Sequence, residues 1–191
     1  MTETAPLIAL LDASTLYPAA LRNLLMRLAG AYLFQAKWTA KIQDEWTAAL
    51  ARDRPELLKQ IARTRALMET HISGAEVTGY EPLIDKFTLP DPDDRHVLAA
   101  AIHAGASVIV TVNLRDFPPK VLAPYRLTAQ HPDSFVLSLL AGDSDAVLAV
   151  MREHRLSLVN PPKTAADYIS TLELHHMTAT VAALRTVTGR L

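Results

Sequence analysis

The sequence contains no cysteine, which excludes disulfides, thiolate metal sites and thiol nucleophiles and suits a reducing compartment. Long apolar runs are missing too. The N-terminal stretch MTETAPLIALLDAS is acidic ahead of a short apolar segment, so it reads as neither a secretory signal nor a membrane span. The expected location is cytoplasmic, with no membrane partner. Only 6 glycines occur in 191 residues, and none builds a phosphate-cradling loop, a G-x-S-x-G elbow or a dinucleotide fingerprint. No internal repeat or low-complexity tract is present.

What the chain does have is an ordinary globular balance, 50% hydrophobic and 20% charged. Its length fits one domain with an appendage. The net charge of -1 conceals an uneven distribution. Between Arg22 and Arg65 there are nine Lys and Arg against four Asp and Glu, a surplus of +5, and the rest of the chain carries -6. A basic segment facing an acidic pocket is what a phosphodiester-cutting site needs, because cations hold the backbone while carboxylates hold a metal. A solvated helical surface gives the same pattern.

Leu7 to Leu11 is an uninterrupted apolar run ending in Asp12, as in a central parallel strand buried on both faces. Leu16, Ala20, Leu21, Leu24, Leu25 and Leu28 repeat at helical spacing up to Gly30. Phe34, Ala36 and Trp38 alternate as in a strand, and Thr39 caps a helix carrying Ile42, Glu45, Trp46 and Ala49. Pro55 starts another helix running to about His71. Ser73 to Pro90 reads as a loop with a short helical turn around Tyr80 to Phe87. Asp91 and Pro92 then form a helix start, Gly105 a stop, and Ser107 to Val112 a second buried strand. The tail is helical: one helix near Asp143 to His154, and one or two between Thr164 and Thr188, with Thr164 and Asp167 as a capping box. The expected division is a main α/β domain over 1–134 and a helical extension over 135–191.

Two acids sit just past apolar strands, Asp12 and Asp116, at the edge where open α/β sheets bind ligands. Glu45 lies one turn from Ile42 and Ala49, and Asp94 occupies the first turn of its helix. Each also has a plain structural explanation in turns, helix dipoles or surface charge.

Four pieces in order, LLDAS, WTAKIQDEW, LPDPDDRHVLAAAIHAG and VIVTVNLRDFP, resemble the PIN-domain family across about residues 7 to 130. The resemblance implies a three-layer α/β/α fold with a mainly parallel sheet, followed here by the helical extension. It implies one site made of Asp12, Glu45, Asp94 and Asp116, serving both as metal ligands and as catalytic acids, with Asp93, Asn113, Ser14 and Thr111 in support. It also implies a ribonuclease that leaves 5'-phosphate and 3'-hydroxyl ends. Relatives of the VapC type are the toxin half of bacterial toxin–antitoxin pairs, so an antitoxin protein and a homodimer join RNA as expected partners. The departure lies in TVNLRDF, where Asn113 stands at a position many relatives fill with Asp. The fourth acid is therefore assigned to Asp116, with Asn113 as a polar contact.

Clustered carboxylates stay ionised together only when a cation compensates them. Hard oxygen ligands and a phosphate substrate favour Mg2+ or Mn2+ over zinc. Ser14 and Thr15 read more readily as helix caps than as ligand contacts. Arg22, Lys37, Lys41 and Arg115 are the candidates for phosphate contacts. The adjacent pair His175 and His176 is a poor metal site, and Trp38 and Trp46 suit a core. Two rival readings differ in class: a PIN-like module that binds RNA or protein without cutting, and an aspartyl-nucleophile phosphatase. Ser14, where such a phosphatase usually has its second Asp, argues against the latter.

Overall fold

A computed structural model describes residues 7–191; the first six residues of the N-terminal stretch read above as neither signal nor span lie outside them. In chain order the elements are β1 Ile8–Leu11, α1 Ala13–Leu16, α2 Ala19–Gly30, β2 Gln35–Lys37, α3 Ala40–Asp53, α4 Leu58–His71 and α5 Arg95–His103. They continue with β3 Val108–Val110, α6 Pro119–Leu122, β4 Thr128–Gln130, α7 Pro132–Gly142, α8 Ser144–Ser157, α9 Ala165–Leu174 and α10 Thr178–Arg185. Short 3-10 turns join several of them, among them Pro92–Asp94 ahead of α5 and Leu114–Asp116 after β3.

The four strands form one sheet in the order β2-β1-β3-β4, and every pairing is parallel. In β1, Ala9, Leu10 and Leu11 are all buried, as are Val108, Ile109 and Val110 in β3. Successive strand residues point to opposite faces, so burial of every one requires helices on both sides of the sheet. This is the expected three-layer α/β/α fold. β4 was not legible in the sequence. It has three residues, only partly buried, and pairs along a single edge with β3. The helix expected from Leu16 onward is broken at Pro18, which separates α1 from α2.

Local signals set the other boundaries. Thr39 accepts from Ile42 N at 3.1 Å to start α3, Asp91 accepts from Asp93 N at 2.9 Å ahead of α5, and Gly105 ends α5 with φ +63. Thr164 and Asp167 form a reciprocal capping box at the head of α9. Trp38 and Trp46 are both core.

The C-terminal helices are packed onto this core: α8 and α9 lie against α2, and α7 against β4 and α10. Helix α7 runs through the expected boundary at 134/135. Its first turn carries Asp133, which is buried and accepts from Ala179 N at 2.8 Å and Thr180 N at 2.7 Å, capping α10 from a distance. Among the described residues no helix is long and apolar enough to cross a membrane.

Removing the Asp133 carboxylate leaves two helix-end N–H groups without their charged acceptor. Asp133→Ala should therefore lower unfolding free energy by about 1–3 kcal/mol. Urea denaturation checks this, and an unchanged midpoint would show that α10 does not depend on the cap.

Candidate active site

In an open parallel sheet the crevice lies beyond the carboxyl ends of the strands, where the direction of winding reverses. Here β1 connects to β2 on one side and β3 to β4 on the other, so the reversal falls between β1 and β3. Their register sets Leu11 beside Val110, and Asp12 N donates to Val110 O at 3.0 Å. Asp12 and Thr111 thus leave the sheet side by side.

The Asp12 carboxylate is firmly held. Ala13 N donates to Oδ1 at 2.8 Å, making Asp12 the N-cap of α1, while Ser14 Oγ and Thr111 Oγ1 donate to Oδ2 at 2.5 and 2.8 Å. The cap is Asp12 itself rather than Ser14 or Thr15. Ser14 serves the acid, and the Thr15 hydroxyl donates to Val110 O at 3.0 Å, tying α1 back to β3. Asn113 N donates to Thr111 Oγ1 at 3.0 Å, so the same hydroxyl anchors the loop that carries Asp116.

Asp94 lies in the turn that precedes α5. Burial pushes its carboxyl up to about 6, and the negative charges of Asp12, Asp91 and Asp116 add to the effect. Those charges act on Asp94 because the fold gathers them at one sheet edge. Asp116 is mostly buried in its 3-10 turn, with Arg115 Nε 3.8 Å from Oδ1. Asp93 is exposed. Asn113 is also exposed, and its side chain makes no hydrogen bond among the described residues.

Glu45 reaches the same region from α3. It lines a shallow hollow with Ala13, Ser14, Tyr17, Trp46 and Ala49, and its Oε1 lies 2.9 Å from His96 Nε2. His96 escaped the sequence reading, although it follows Asp94 by two residues and opens the fully buried run Val97 to Ala101. Lys41 Nζ stands 3.9 Å from Glu45 Oε1 at the half-exposed rim, and the Arg115 side chain is 90% exposed beside Asp116.

Two of the cation assignments come out differently. Arg22 is corrected: it is buried, its guanidinium lies 4.4 Å over the Trp46 ring, and Nη1 donates to the carbonyls of Leu16 and Tyr17 at 2.5 and 3.1 Å. It closes the far end of the helix that Asp12 begins and is out of reach of a phosphate. Lys37 donates to Gly74 O at 2.5 Å and lines a separate hollow beside β2 with His71 and Ser73.

A model described as the PIN domain matches residues 9–115. The chain belongs to the PIN-domain family. A second model, described as the VapC50 C-terminal domain, matches residues 132–186, covering most of the helical tail of this PIN protein. The resemblance read from the four sequence pieces is therefore borne out. Over 79 residues the chain is 43% identical to a Mycobacterium tuberculosis protein named "Putative ribonuclease VapC50", an overlap of 41% of this chain and 47% of that relative. The matched segment thus spans about half the length of the relative. No solved structure matches the chain.

The donor chemistry of this PIN site fits a hard divalent cation, since every candidate ligand is a carboxylate oxygen and Asp94 has three negative neighbours. Yet among the described residues no three such groups stand close enough to hold an ion as they are placed. Both Asp12 oxygens and Glu45 Oε1 have protein partners.

A carboxyl whose folded pKa is raised stabilises the fold below its unfolded value near 3.9 and loses that contribution as pH rises through about 6. In chelator, Asp94→Asn should therefore raise the melting temperature relative to the native protein, on the order of 3 °C above pH 7 and by little at pH 4. Thermal unfolding at both pH values checks this. A variant less stable than the native protein at pH 7.5 would contradict it.

Proposed function

We propose that this chain is a Mg2+- or Mn2+-dependent endoribonuclease acting as the toxin of a bacterial toxin–antitoxin pair. The reading rests on one observation above all: Asp12 and the loop carrying Asp116 leave β1 and β3 side by side at the switch point of a parallel sheet, where their charges act on Asp94. The ribonuclease name of the Mycobacterium tuberculosis relative supports it, as does the match to that relative's C-terminal domain type.

Asp12, Asp94 and Asp116, with Glu45, would hold the ion. When bound, a divalent cation supplies Lewis-acid polarisation of the phosphate and a lowered pKa for a water nucleophile. The chain does the rest. Ser14 and Thr111 fix Asp12 in one orientation, so that little reorganisation is needed when substrate arrives. Asp116 supplies negative charge where Asn113 supplies only an amide, which can orient substrate or water but cannot neutralise a cation. Arg115 and Lys41, exposed at the rim, take the phosphates flanking the scissile bond. Arg22 and Lys37 have no part in this, being committed to carbonyls.

The alternative is a non-catalytic PIN-like module that binds RNA or protein. The absence of a three-ligand group among the described residues favours it. The two readings part on a single assay of RNA cleavage with Mn2+, Mg2+ or chelator. The nuclease reading expects cleavage abolished by chelation and reduced about a hundredfold or more in Asp12→Asn. Cleavage that persists in chelator, or none with either ion, would overturn it.

Within the loop after β3, Asp116→Asn should cost on the order of a hundredfold in rate and Asn113→Ala clearly less. Both variants must retain the native unfolding midpoint for the comparison. If Asn113→Ala abolished cleavage at saturating Mn2+ while Asp116→Asn left it intact, the fourth acid would be misassigned.

A further inference from the structure

We infer that His96 is a positioning residue for Glu45, holding one carboxylate oxygen so that Glu45 offers the other to the ion or its water. The inference rests on the nuclease reading above and deepens it. Nε2 lies 2.9 Å from Glu45 Oε1, so the ring turns this nitrogen toward a carboxylate that only accepts. Glu45 Oε2 has no hydrogen bond among the described residues. His96 is 2% exposed, and its second nitrogen, Nδ1, is buried without any partner.

That orphaned nitrogen separates this role from core filling. A side chain present only to fill the space under α5 would be apolar, because an unpartnered buried ring nitrogen is destabilising. What offsets it is the 2.9 Å contact of the other ring nitrogen with the Glu45 carboxylate. Lys41, the other cation near Oε1, is half-exposed and 3.9 Å away, a distance at which solvent screens most of the attraction. His96 is thus the contact that decides where the Glu45 carboxylate points.

The placement also links two parts of the site. Asp94 and His96 lie on one turn at the head of α5, whereas Glu45 stands on α3. Without the bond, Glu45 is an ordinary partly exposed helix side chain with several rotamers open to it. With it, any movement of the head of α5 that carries Asp94 carries Glu45 too. Residues that orient metal ligands typically change affinity by roughly ten- to a hundredfold when removed.

The experiment measures Mn2+ binding by electron paramagnetic resonance and needs no turnover. Four proteins are compared with the native one: His96→Leu, His96→Gln, Glu45→Gln, and Glu45→Gln carrying His96→Leu. Gln places an N–H close to the position of Nε2. The expected result is Mn2+ binding weakened about ten- to a hundredfold in His96→Leu, restored to within a few-fold in His96→Gln, and barely worsened by His96→Leu in the Glu45→Gln background. Equal affinity in His96→Leu and the native protein overturns the inference. So does the same loss in both backgrounds, which would mean that His96 does not act through Glu45.

A second readout covers a variant that fails to fold. In metal-free native protein the 15N resonances of His96 should report a proton on Nε2, and Glu45→Gln should shift them. Resonances indifferent to Glu45→Gln overturn the inference on their own. If the native protein binds no Mn2+ at millimolar concentration, the nuclease reading falls as well. Native binding with an indifferent His96→Leu sinks the His96 role alone.

Discussion

Carboxylates crowded at one end of a sheet repel one another, and the fold must hold them there with bonds that do not involve a cation. At the centre of that hold is the parallel pairing of β1 with β3, which delivers Asp12 and Thr111 to neighbouring positions. The pairing lies in a fully apolar layer, so the acids stand on a rigid base whose own polar groups are satisfied. The cost is local and visible in Asp94, whose carboxyl is pushed up to about 6 first by burial and then by its acidic neighbours.

Around that constraint the polar residues divide into two kinds. Ser14, Thr15, Thr111 and Arg22 all spend their hydrogen bonds inside the protein, on the Asp12 carboxylate, the Val110 carbonyl and the end of α1. Arg115 and Lys41 remain at the surface. The basic surplus between Arg22 and Arg65 is accordingly smaller in effect than the sequence suggests, since Arg22 is buried, Lys37 bonds a carbonyl, and Arg65 pairs with Asp44 and Glu69. The C-terminal helices belong to the same body, packed on α2 and β4.

Much of this was legible in the residues. The apolar runs ending in Asp12 and in Val112, the Thr39 cap, and the Asp91-Pro92 start specify their elements through short-range physics. The rest depends on neighbours far along the chain. β4 gives no periodic signal because three partly buried residues on a sheet edge need not be apolar. Arg22 looked like a surface cation, yet it shares a helical face with Leu25 and Ala29, and that spacing was the available signal of its burial. His96 was hidden in a different way. Its importance comes from Glu45, fifty-one positions earlier, and the meeting of these two side chains is a tertiary fact.

The central claim is that Asp12, Asp94 and Asp116 close on one divalent ion, with Glu45 beside them. A crystal of the full chain soaked in Mn2+ tests it directly through anomalous scattering. The account predicts a single strong peak at the carboxyl edge of β1 and β3, with carboxylate oxygens of at least two of these residues at about 2.0–2.3 Å. A saturated crystal with no peak there, or with its strongest peak away from Asp12 and Asp94, would contradict it.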